Sequence, residues 1–99
     1  MCGFVGYLKC VGDSAYGGRP VRVSEKARKD ALKTIKNRGP DAQGEWQNQG
    51  TWLGHRRLSV IDTSQRGNQP MVYSDYVIAF NGMIYNYREI KKTLVQKGY

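Results

Sequence analysis

Cysteine is scarce in this chain, with two among 99 residues, and so are phenylalanine, with two, proline, with three, and histidine, with one. Two cysteines cannot build a disulfide framework. Cys2 and Cys10, with His55 as the single imidazole, match no metal-ligand spacing. No apolar run approaches the roughly 18 residues of a membrane span, and Phe4 to Leu8 is too short for the apolar stretch of a secretory signal. These absences point to a cytoplasmic protein with reduced thiols, no metal site and no membrane segment.

Acidic residues are also few, eight against sixteen Lys and Arg, for a net charge of +8. A charge of that size raises a polyanion as partner. Its distribution argues otherwise. Seven of the basic residues lie between Arg22 and Arg38, where Lys26, Lys29, Lys33 and Lys36 share one side of a helix opposite Ala27, Ala31, Leu32 and Ile35. That is a solvated helix face, and no aromatic residue is interleaved on it. A nucleic-acid partner is therefore not expected, and a small basic binding domain remains the most distant rival reading.

What is present suits a modest core: 39% of residues are hydrophobic and 11% aromatic, enough for one small domain over residues 1–99. Cys2 to Leu8 reads as a strand buried on both faces, with Cys2, Phe4, Gly6, Leu8 and Cys10 on one parity and Cys10 as a small buried hydrophobe. Gly12 to Pro20 reads as a loop. Ser24 caps a helix through Ile35, stopped by Asn37 to Pro40. Gly44 to Leu53 reads as a hairpin turning at Asn48-Gln49-Gly50, with the second strand continuing toward Ile61. Tyr76 to Phe80 is a further strand ending in a tight turn at Asn81-Gly82. Asn86 and Glu89 form a capping box for a helix whose Tyr87, Ile90 and Leu94 face the core. Strands outnumber helices in this order, which gives an α+β layered domain. The last helix runs out at Gly98-Tyr99 with no closing strand, so the chain reads as the front of a longer protein.

The chemistry begins at Met1-Cys2-Gly3. Removal of Met1 leaves one residue carrying both a thiol, with an ordinary pKa of about 8.5, and an α-amine, at about 7.7 to 8.0, able to take its proton. N-terminal nucleophiles work this way. Three further segments accompany it: Arg38-Gly39-Pro40-Asp41, Gly54-His55-Arg56-Arg57-Leu58-Ser59-Val60-Ile61-Asp62, and Asn81-Gly82-Met83-Ile84-Tyr85-Asn86. Together with Met1 to Gly6 they resemble the glutaminase domain of class II glutamine amidotransferases. The Arg-Gly-Pro-Asp turn, the Arg-Leu-Ser-Val-Ile-Asp run and Gln69-Pro70-Met71 are most similar to glutamine-hydrolysing asparagine synthetases.

The resemblance implies an N-terminal-nucleophile hydrolase fold, a four-layer αββα sandwich of which residues 1–99 hold the first part. It makes Cys2 the nucleophile toward glutamine, with the Asn81 side chain and the Gly82 amide stabilising the oxyanion; an uncharged amide donor and a closely approaching backbone suit that task. Arg57 matches the arginine that grips the glutamine carboxylate, a role suited to a planar fork. Arg56 is its local rival, and on a strand the two point to opposite faces. The run Arg57, Leu58, Ser59, Val60 and Ile61 lines the glutamine site, with Asn81, Gly82 and Met83 completing it. His55 has no catalytic part in the resemblance and reads as structural, and Asp41 and Asp62 read as turn and strand-end residues.

Glutamine is then the substrate, and the ammonia serves ATP-dependent asparagine synthesis in a C-terminal synthetase domain beyond these residues. ATP and magnesium belong to that domain, and no cofactor to this chain. A homodimer stays open. Two departures stand out. Asparagine synthetases usually carry Glu where this chain has Met83, which cannot meet the substrate's ammonium. The Asp that holds the same ammonium falls beyond Tyr99. The isolated chain is accordingly expected to be weak or inactive. The alternatives are a class II amidotransferase with another acceptor and an inactive glutaminase-like regulatory module.

Overall fold

The structure is a computed structural model and describes residues 1–9 and 23–99. Cys10 and the Gly12 to Pro20 loop lie outside the described residues. Three antiparallel strands form the main sheet: β1 (Gly3–Leu8), β2 (Ala42–Asn48) and β3 (Thr51–Arg57), in the order β1-β3-β2. A two-residue connection closes the β2–β3 hairpin, with Gly50 at φ +98°, a conformation that favours glycine. The Lys9 amide donates to Gly50 O at 2.8 Å, carrying the β1 pairing into the turn.

Register sorts the side chains onto two faces. Val5 pairs with Gly54, Tyr7 with Trp52 and Gly3 with Arg56, so these residues share the face covered by helix α1 (Glu25–Thr34). On that face Leu32 and Trp52 are buried, Trp52 Nε1 donates to Glu45 Oε2 at 3.0 Å, and Arg56 Nε donates to Leu32 O at 3.3 Å. Gly54 makes room there, since a Cβ on it would come 2.8 Å from the Trp52 ring and 2.9 Å from Leu32 Cδ2. Burying Leu32 and Trp52 contributes about 1.5–3 kcal/mol each.

The expected cap is found: Ser24 Oγ accepts from the Ala27 amide at 3.1 Å. The lysine face is exposed, though Lys26 and Lys29 pair with Asp30 and Glu25 one turn away. Ala27 is exposed as well, so the buried stripe of α1 is narrower than its sequence pattern suggested. A 3₁₀ turn, Lys36–Arg38, ends the helix before Gly39 and Pro40.

Two expectations for the sheet need correction. β1 is an edge strand, not one buried on both faces: Phe4 and Leu8 are exposed, because they share the face away from α1. β3 stops at Arg57 instead of continuing toward Ile61. The reason is geometric, since β1 begins at Gly3 and β2 at Ala42, and among the described residues no strand runs beside residues 58 to 61.

The stretch 69–80 begins and ends over the second face of the sheet, with Gln69 at Gly44 and Phe80 at His55. Gln69 O lies so close over Gly44 that a Cβ there would collide with it. Strand β4 (Met71–Tyr73), which the sequence did not announce, pairs with β5 (Tyr76–Ile78) through a turn that places Ser74 at φ +50°. β5 ends at Ile78, short of the expected Phe80, and no strand follows Asn81-Gly82 to make that pair a hairpin turn.

Helix α2 (Tyr87–Gln96) starts where expected but without a capping box. Asn86 makes no side-chain cap bond, and its carbonyl instead accepts from the Glu89 and Ile90 amides at 3.1 and 3.2 Å. Tyr87, Ile90 and Leu94 do not face a core; no residue of α2 is buried. Among the described residues the architecture is an α+β arrangement of two α-helices and two antiparallel sheets. Among the described residues, no helix is long and apolar enough to cross a membrane.

Candidate functional site

Three of the residues singled out by sequence, Cys2, Arg57 and Leu58, lie together where β3 gives out. Cys2, half-buried, precedes β1, and its Sγ lies 3.4 Å from the donating Leu58 amide and 3.6 Å from Leu58 O. Register places Gly3 opposite Arg56, so the cysteine falls beside the last residue of β3.

Arg56 and Arg57 point to opposite faces, as expected for neighbours on a strand. Arg56 is turned to α1, and Arg57 to the loop that follows. Arg57 is buried, and its guanidinium organises that loop: Nη1 donates to Ser64 O at 2.6 Å and to Asn68 Oδ1 at 3.0 Å, while Nη2 donates to Asp62 O. Gly67 packs so closely on the guanidinium that a Cβ would overlap it. Nε–H and one Nη2–H have no partner among the described residues, which leaves donor capacity for a carboxylate. A cavity of about 520 Å³ opens beside Arg57, lined among others by Asp41, Ser59, Thr63, Ser64 and Asn68.

The loop is built locally. Asp62 Oδ1 accepts from the Ser64 amide at 2.7 Å, and Ser64 Oγ accepts from the Arg66 amide at 3.3 Å. Ser64 holds the Asp62 carboxyl below the usual carboxylate range, with Arg57 and Arg66 adding to the effect. Ser64, Gln65 and Asn68 were not anticipated as cavity residues. Their only sequence signal is a polar cluster after a strand, which marks a loop but not what the loop encloses.

His55 is fully buried, next but one to Arg57 on the same face. Neither ring nitrogen has a hydrogen-bond partner among the described residues. Burial pushes its pKa down, the nearby Phe80 backbone raises it in part, and the Arg57 charge lowers it further. A neutral imidazole without an orienting partner suits packing and not proton transfer.

Asn81, Gly82 and Met83 are not brought to the cysteine by any hydrogen bond among the described residues. Asn81 is half-buried, Gly82 and Met83 are exposed, and the Phe80 ring occupies the space a Gly82 Cβ would need. Val60 and Ile61 are also exposed, while Leu58 and Ser59 are half-buried. Among the described residues no group of three or more His, Cys, Asp or Glu could hold a metal ion.

Set beside known proteins, residues 1–99 match the glutamine amidotransferase domain along their whole length. The chain belongs to that family. Within the glutamine amidotransferase family, curated relatives include asparagine synthetase [glutamine-hydrolyzing] 1 of Bacillus subtilis, 39% identical over 104 residues, covering 100% of this chain and 15% of the relative. The Arabidopsis thaliana protein of the same name is 41% identical over 96 residues, covering 95% and 15%. Asparagine synthetase [glutamine-hydrolyzing] of Asparagus officinalis is 38% identical over 101 residues, covering 100% and 16%. The chain thus spans about 15% of the length of these relatives. No solved structure matches it.

Proposed function

We propose that this amidotransferase domain is the glutaminase half of an asparagine synthetase-like enzyme, with Cys2 as its nucleophile once Met1 is removed. The observation that carries the reading is the seating of the Cys2 sulfur on the Leu58 peptide, one residue from the buried Arg57, which itself lines a polar cavity. Arg57, with two donors to spare, grips the glutamine carboxylate, and Leu58 to Ile61 flank the substrate. The thiolate attacks the side-chain carbonyl carbon, and the α-amine of Cys2 takes the thiol proton. The oxyanion is met by Asn81 Nδ2 and the Gly82 amide. Phe80 lies by His55, so the segment carrying these donors leaves from the same sheet face as Arg57. Collapse breaks the C–N bond, the proton passes to the leaving nitrogen, and ammonia departs. Water then hydrolyses the thioester to glutamate.

The relatives' names support glutamine as the nitrogen source and asparagine as the product, and the family resemblance supplies the rest of the proposal. Ammonia passes to a C-terminal synthetase domain that makes asparagine with ATP and magnesium in the cytoplasm, and residues 1–99 supply the first part of a four-layer αββα sandwich. Met83 favours a second reading, an inactive glutaminase-like module, because a thioether cannot bind an ammonium as a carboxylate does.

Intact-protein mass spectrometry of the full-length polypeptide, before and after 6-diazo-5-oxo-norleucine, decides between them. The expected result is loss of Met1 and a single adduct on Cys2. A retained Met1, or a processed Cys2 that ignores the reagent, removes the glutaminase assignment and leaves the inactive module.

A further inference from the structure

The Cys2 sulfur is seated on a peptide, not on another side chain, so whatever fixes that peptide fixes the sulfur's partner. Leu58 lies past the end of β3, where no strand among the described residues holds it. The Asp41 amide donates to Arg57 O at 3.0 Å, and Asp41 Oδ2 accepts from the Ser59 amide at 2.7 Å. Asp41 therefore brackets Leu58, with its backbone on the residue before and its carboxylate on the residue after. Its acceptor is spent on an amide 18 positions away and not on its own turn.

The other end of the same turn holds the cysteine. Arg38 Nε donates to Cys2 O at 3.3 Å, and the Arg38 side chain covers Gly3, where a Cβ would come 3.2 Å from Arg38 Cδ. The turn has little freedom of its own. The Arg38 and Gly39 amides donate back to Ile35 O and Lys36 O at 3.1 and 3.2 Å, and Gly39 is buried on the Arg56 backbone with no space for a Cβ. One short turn thus grips both partners of the sulfur–amide contact.

We infer that Asp41 is a positioning residue, which acts through the Ser59 amide to hold the Leu58 N–H against the Cys2 sulfur, with Arg38 holding the cysteine from the opposite side. The inference rests on Cys2 being the nucleophile. Asp41 acts through the Ser59 amide and sets where the thiolate is met by a peptide donor. A carboxylate is a stronger acceptor for this bond than a neutral oxygen, but reach matters more than charge here.

The test uses full-length protein carrying Asp41→Ala, Asp41→Asn and Asp41→Glu, with folding checked by circular dichroism. Two rates are read: glutamine hydrolysis, as kcat and KM, and alkylation of Cys2 by iodoacetamide at neutral pH, which needs no glutamine site. Asp41→Ala should lower both kcat and the alkylation rate about tenfold and leave KM within about twofold. Asp41→Asn, whose Oδ1 accepts the same bond, should recover to within about threefold of the parent. Asp41→Glu keeps the charge but misplaces it by one methylene and should resemble Asp41→Ala. Unchanged alkylation in folded Asp41→Ala or Asp41→Glu, an effect confined to KM, or failure of Asp41→Asn to recover would overturn the inference. A parent protein that does not hydrolyse glutamine, yet whose Cys2 alkylation follows this order, would sink the glutaminase assignment and keep the clamp.

Discussion

The two regions of this molecule are built from similar sequence patterns and reach opposite outcomes. Helix α1 and helix α2 are both ten residues long and both amphipathic, but α1 buries Leu32 to 1% exposure whereas Leu94, at the equivalent place on the apolar stripe of α2, is 44% exposed. The three-stranded sheet likewise carries the buried residues Trp52, His55 and Arg57, while β4 has none. Amphipathicity specifies a face that can be buried; a partner surface at the right distance decides whether it is. For α1 that surface is Trp52 beside the open site at Gly54.

Stability measurements can break this comparison. By chemical denaturation, Leu32→Ala should cost about 2–5 kcal/mol, as for other fully buried leucines, whereas Leu94→Ala should fall well below that range. Equal costs would mean that α2 is packed as α1 is. A smaller effect sharpens the contact between the regions. Gly44→Ala forces a Cβ onto the Gln69 carbonyl and should destabilise by about 1–3 kcal/mol, with faster hydrogen exchange over β4 and β5 than over β1. Uniform exchange changes would deny that the hairpin docks by itself.

The smallest effect is that of pH. The folded-state pKa of His55 is depressed, chiefly by burial, so the unfolded chain binds the proton first. The stability tied to neutral His55 is complete above its ordinary pKa of about 6.5 and is lost as pH falls from there toward the lower folded value. His55→Gln should flatten the denaturation midpoint over that window. A profile unchanged by the substitution would place the titration elsewhere.

How much of this was legible in the sequence follows from the range of the forces involved. Ser24, Gly50 and the end of α1 were readable because caps and turns are decided within a few residues. The motif segments singled out Cys2 and Arg57, which the register sets side by side, but not the polar loop residues that line the cavity beside Arg57. β4 was missed because three residues give too little periodicity, and the turn beside it uses Ser74 in a conformation more often taken by glycine or asparagine. The exposure of β1 and α2 could not be read from their own residues, since burial belongs to the surface opposite. The bracket around Leu58 was hidden for the same reason: Asp41 looks like any turn aspartate until the strand end it reaches is in place.

The pairing of β1 with β3 also sets an order of events in time. Cys2 and its partner Leu58 are separated by 56 positions, and the central strand must exist before the first strand has anything to join. At roughly 5–20 residues per second, a ribosome needs several seconds to make that intervening chain. Throughout that interval Met1 heads a polypeptide with no sheet to belong to, open to an aminopeptidase. Pairing of β1 with β3 then fixes Cys2 beside Leu58 while leaving Met1 itself 75% exposed, so the finished sheet holds the cysteine without covering the residue before it.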